Sequence, residues 1–113
     1  MYTKTSFKLI VTIVDEGCCG KVVEASKKAG AEGGTIIKGR GSGIHEQKKL
    51  FNLSIEPEKD IVLTLVPENI ADKVAESIED SAELNKPGTG VAFILDLEKT
   101  LGINHLIQAD QNS

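Results

Sequence analysis

One supersecondary unit is written twice in this chain, and that repetition constrains the fold more than any single residue does. In the first copy, Phe7, Leu9, Val11 and Ile13 alternate with Lys8, Ile10, Thr12 and Val14. The alternation and the β-branched content predict a strand with one face more fully buried than the other. Asp15-Glu16-Gly17 breaks it. Val22, Ala25, Ser26 and Ala29 then recur at helical spacing, with Lys21, Glu24, Lys27 and Lys28 mainly on the other side. Gly30 stands where a helix-ending glycine belongs. Thr35-Ile36-Ile37 reads as a second strand, entered through Gly33-Gly34 and left through Gly39. In the second copy, Ile61, Leu63 and Leu65 alternate with Val62, Thr64 and Val66, so this strand is apolar on both faces. Pro67-Glu68-Asn69 supplies a strand-to-helix turn, with acidic and capping residues at the helix start. Ile70, Ala71, Val74, Ala75, Ile78 and Ala82 line one helix face; Asp72, Lys73, Glu76, Glu79 and Asp80 line the other. The loop Lys86-Pro87-Gly88-Thr89-Gly90 feeds a last strand from Val91 to about Leu97.

The order is therefore β-α-β, an insertion, and β-α-β. Two such units sharing one antiparallel sheet make an α+β, ferredoxin-like split βαβ fold with both helices on one face. The open face would be apolar, because the strands are apolar on both sides, and a large uncovered apolar face predicts a partner. A symmetric homo-oligomer is the simplest one. At 113 residues the whole chain, 1–113, reads as a single domain. Residues past about 105 are polar and read as a flexible tail. The insertion, about residues 41–59, is long for a hairpin. It mixes Gly41-Ser42-Gly43 and Glu46-Gln47-Lys48-Lys49 with Leu50, Phe51, Leu53 and Ile55. Two readings stand: a flexible loop ending in a strand extension, or a recognition arm whose apolar residues meet a partner.

Composition removes several function classes. A net charge of -4 disfavours coating nucleic acid, which needs a basic excess. The two inner strands carry no aromatic residue on which RNA bases could stack. No apolar run approaches the roughly 20 residues of a membrane span. The N-terminal segment runs into an alternating strand instead of a signal-peptide core, so the expectation is a cytoplasmic protein. Cys18-Cys19 falls at the start of the first helix, where the dipole lowers thiol pKa. His45 and His105 have no ligand-spaced neighbours, so no metal site is expected. No carboxylate is paired with a nucleophile, and no catalytic residues are assigned. Gly39-x-Gly41-x-Gly43 lacks the following helix and the third glycine of a dinucleotide fingerprint, and there is no phosphate-binding G-x-x-x-x-G-K-[ST] motif.

The Gly-rich loop carries more information. Glycine N–H groups and a lysine are natural partners of an anion. Lys86-Pro87-Gly88-Thr89-Gly90-Val91-Ala92-Phe93-Ile94-Leu95-Asp96, Gly39-Arg40-Gly41 and Val66-Pro67-Glu68-Asn69-Ile70-Ala71-Asp72 together resemble the PII signal-transduction family over about residues 7 to 104. The resemblance implies a homotrimer with an adenine nucleotide in each cleft between subunits. The binding residues would be Gly39, Arg40, Gly41, Val66, Lys86, Gly88, Thr89 and Gly90. It also implies that the insertion is the family's T-loop, meeting a target such as a membrane transporter or metabolic enzyme through His45, Lys48, Lys49, Phe51 and Leu53. The departures are specific. The T-loop tyrosine used for uridylylation has no counterpart. Thr89 and Val91 replace the second loop's aspartate and lysine, and Gly102 and Asn104 align with two arginines. Fewer cations leave a triphosphate poorly neutralised, so ADP or AMP is expected to be preferred over ATP. The alternative is a trimer resembling the copper-tolerance relatives of the same fold, using Cys18, Cys19 and the histidines without nucleotide.

Overall fold

The computed structural model describes residues 6–42, 48–50 and 53–103. The elements run β1 (Phe7–Asp15), α1 (Cys19–Lys28), β2 (Thr35–Arg40), β3 (Lys48–Leu50), β4 (Leu53–Ile55), β5 (Glu58–Pro67), α2 (Glu68–Ser81) and β6 (Gly90–Asp96). Four strands form one antiparallel sheet in the order β2-β5-β1-β6, while β3 and β4 make a separate hairpin inside the insertion. This is the ferredoxin-like arrangement expected from the repeated unit.

The register explains the two faces. Ile10 pairs with Thr64, Thr12 with Val62 and Val14 with Asp60, so these six side chains share the helix-covered face. There Ile10, Val14, Val62 and Val66 pack with Val22, Ala29, Ala71, Val74 and Ile78 in the core. Fully burying one such aliphatic side chain contributes about 1.5–3 kcal/mol. On the other face Leu9, Val11 and Ile13 of β1 meet Leu65, Leu63 and Ile61 of β5 and Leu95, Phe93 and Val91 of β6. No helix covers these. Val91, Phe93 and Leu95 remain 44–50% exposed, as does Ile37 at 45%.

α1 ends as its sequence indicates: Gly30 has φ +115°, its N–H bonds the Lys27 carbonyl at 3.0 Å, and the Ala31 N–H reaches Ser26 at 2.9 Å. α2 begins differently. Asn69 does not cap it, and Pro67, in extended conformation, occupies the cap position with no side-chain bond. The Glu68 N–H is satisfied instead by the Ser6 carbonyl at 2.8 Å, a partner from the N-terminal side of β1. β2 also runs further than Ile37, because Gly39 and Arg40 continue the ladder against Lys59 and Glu58. The insertion is correspondingly shorter, since Glu58 and Lys59 already belong to β5. The last strand ends at Asp96, one residue earlier than expected.

Candidate ligand site

Two clusters of charged and glycine residues stand at the same end of the sheet, on opposite edges. The first is the loop between α2 and β6. Past Ser81 the chain turns through Glu83, whose φ of +54° is unusual for a residue with a side chain. The Leu84 N–H returns to the Glu79 carbonyl and the Lys86 N–H to the Glu83 carbonyl, each at 3.0 Å. The Thr89 hydroxyl lies 2.8 Å from the Glu83 carbonyl and 2.9 Å from that of Lys86, so its proton is shared within the loop. Gly88 has φ +80°. At Gly90, φ is +150° and a Cβ would lie 2.5 Å from the Ile13 carbonyl oxygen, so only glycine fits. Lys86 is the loop's cation. Its Nζ sits 3.0 Å from Glu83 Oε1, with both side chains more than half exposed, a pairing of about 0–1 kcal/mol that an anion can displace.

The second cluster is the root of the insertion, where β2 leaves the sheet and β5 enters it. It is organised by Asp60, which is fully buried. Its carboxylate accepts from the Gly17 N–H at 2.9 Å, the Cys19 N–H at 3.4 Å and the Lys38 ammonium. Lys38, together with those N–H groups and the Cys19 thiol, outweighs burial and holds Asp60 at about 2. Around it Lys59 pairs with Asp15 at 2.7 Å and Arg40 with Glu58 at 3.4 Å. The Glu16 N–H reaches the Glu58 carbonyl at 3.2 Å, and the neighbouring Glu58 carboxyl pushes the Glu16 carboxyl up. Cys19 corrects a sequence expectation. It opens α1, yet its thiol is pushed up, because it hydrogen-bonds Asp60 and faces that negative charge. The adjacent carboxylate outweighs the helix dipole.

Asp60 was missed as an organising residue because the strand reading began at Ile61. The signal was present: Asp60 is in phase with Val62, Thr64 and Val66, and Lys38 is in phase with Ile36 on the facing strand.

The expected binding residues divide between these clusters. Gly39, Arg40 and Gly41 belong to the root, with the Gly41 N–H on the Pro57 carbonyl at 3.1 Å. Lys86, Gly88, Thr89 and Gly90 belong to the loop. Gly90 pairs with Val14, Val14 with Asp60 and Asp60 with Lys38, so three strand spacings, roughly 14 Å, separate the edges within one chain. Val66 joins neither cluster. It is fully buried under the helices, and six residues along β1, roughly 20 Å, separate its register position from that of Gly90. Lys48, Lys49 and Leu53 fall in the β3–β4 hairpin. His45, Phe51 and His105 lie outside the described residues. Among the described residues no group of three His, Cys, Asp or Glu side chains could hold a metal ion. No described helix is long and apolar enough to cross a membrane.

Residues 7–105 match the family model described as Nitrogen regulatory protein P-II. No curated protein matches the chain.

Proposed function

The chain belongs to the nitrogen regulatory protein P-II family, and we propose on that premise that it is a non-catalytic regulator whose effector, an adenine nucleotide, binds between neighbouring copies. The observation that supports this most is the division of the site. The loop cations and glycines stand on the β6 edge and the root glycines on the β2 edge, too far apart to serve one small ligand within a chain. Copies arranged in a ring, with their open apolar faces turned to a common centre, would bring the β6 edge of one beside the β2 edge of the next. The apolar face would be covered by the same association. A trimer is the assembly proposed.

In that cleft the N–H groups around Gly88 and Gly90, with Lys86, would receive the phosphates, and Gly39 and Gly41 would let the backbone approach the ligand closely. The root adds little free charge. Lys38, Arg40 and Lys59 already face Asp60, Glu58 and Asp15. That arrangement supports a preference for ADP or AMP over ATP, since few cations remain for a third phosphate. Ligand contact at Gly39–Gly41 would bias the attached T-loop hairpin between states that fit and do not fit a target, plausibly a transporter or metabolic enzyme. The copper-type alternative loses support from Cys19, whose thiol is biased away from the thiolate a soft metal needs.

Calorimetric titration of the purified oligomer with AMP, ADP and ATP, with and without magnesium, tests the reading. One site per chain with ADP or AMP tighter than ATP supports it. ATP binding at least as tight, unchanged by Lys86→Ala, would remove the assigned phosphate site.

A further inference from the structure

A second surface lies on the helix side of the sheet, away from the root. α2 sits over β1 and β5 and leaves β6 uncovered, opening a groove of about 610 Å³ between the helix and the edge strand. Its helix wall carries Asp72, Glu76, Glu79 and Asp80, and no lysine or arginine lines it. Asp72/Glu76 and Glu76/Asp80 are like charges four residues apart, an arrangement that weakens a helix by about 0.2–0.5 kcal/mol per pair. The stripe therefore does not serve the helix. Lys8, near one end, is already held by Asp96 at 2.8 Å. The floor is apolar, with Ala75, Ala92 and Ile94. The other wall is the free edge of β6, where every second N–H and C=O points away from β1 and no described strand lies beyond it.

We propose that this groove binds an extended protein segment in which basic and apolar residues alternate, added to the sheet as a strand beside β6. The alternation follows from the two faces of β6. An added strand would send one set of side chains to the helix side, where Asp72, Glu76 and Asp80 demand cations and the apolar floor accepts their aliphatic stems. The other set would extend the apolar surface of Val91, Phe93 and Leu95. Spacing agrees as well. Four helix residues rise about 6 Å and two strand residues about 6.7 Å, so successive carboxylates and successive basic residues keep step. The opposite free edge, β2, discriminates against the same segment, because it presents Lys38 and Arg40 on its helix side.

The test uses the full chain and a fluorescent seven-residue peptide alternating valine and lysine. The expected result is saturable binding that weakens with salt and is absent for the valine–glutamate counterpart. Amide exchange should slow in Gly90–Asp96 and stay unchanged in Thr35–Arg40. The triple variant Glu76→Gln, Glu79→Gln, Asp80→Asn changes only exposed side chains, and circular dichroism checks its fold. Losing three surface ion pairs should weaken the peptide on the order of tenfold. Failure of the peptide to bind, equal binding by the variant, or protection at β2 would overturn the proposal. A changed sedimentation mass of the variant would also overturn it, by making a second copy of this chain the occupant. Nucleotide titration of the same variant separates the two readings, since none of its residues belongs to the nucleotide site.

Discussion

The two clusters at one end of the sheet are built in opposite ways. At the insertion root the charged side chains are committed to one another, around a carboxylate that is fully buried and held at about 2. In the α2–β6 loop it is the backbone that is committed, through Glu83, Thr89 and Gly90, while the cation is left exposed. The difference teaches which groups are available to a ligand. A root whose cations are neutralised internally fixes the chain path into the insertion, whereas a rigid loop with a displaceable lysine is prepared for an anion.

Four substitutions can break or sharpen that contrast. Gly90→Ala has the largest expected effect on stability, about 3 kcal/mol, because its Cβ meets the Ile13 carbonyl and its φ is strained. Denaturant unfolding measures it, and a loss under 1 kcal/mol would show that β1 yields. Asp60→Ala comes next at about 2 kcal/mol, since the Gly17 and Cys19 N–H groups lose their acceptor. The same residue sets a pH window. A folded pKa of about 2 against an ordinary 3.8 gives stability that is complete above about 4 and is lost as pH falls towards 2. Thermal melts across that range should fall more steeply for the native chain than for Asp60→Asn. Thr89→Val removes the loop's internal hydroxyl bond and should cost about 1 kcal/mol. Lys86→Ala should change stability by less than about 0.5 kcal/mol yet weaken nucleotide about tenfold or more, through loss of a charge-assisted bond. Equal losses in stability and affinity for Lys86→Ala would erase the contrast between the clusters.

Much of the fold was legible because each element carries a strong local period. Val22, Ala25 and Ser26 fix the inner face of α1, and Ala71, Val74 and Ile78 that of α2, while the glycine at position 30 marks a helix end by its conformational freedom. What escaped depended on contacts between distant residues. Asn69 looked like a cap, but a backbone carbonyl from Ser6 takes that role. Cys19 looked activated by a helix terminus, but Asp60, 41 residues away, reverses the direction. Val66 looked exposed to a ligand, yet its phase on β5 turns it to the helices. The loop glycines were legible as an anion cradle; Glu83, with no sequence signal of its left-handed backbone, was not.

The central claim is that the loop of one chain and the root of another form a single nucleotide site. Subunit mixing tests it most directly. Lys86→Ala disables the loop, and Gly41→Asp, placed where a side chain meets no neighbour, puts a negative charge at the root. Each variant alone should lose ADP binding. Oligomers refolded from the two together should regain it at a fraction of their sites, because some clefts then combine an intact loop with an intact root from different chains. No recovery in oligomers shown to contain both chains would contradict the account and place the site within one subunit.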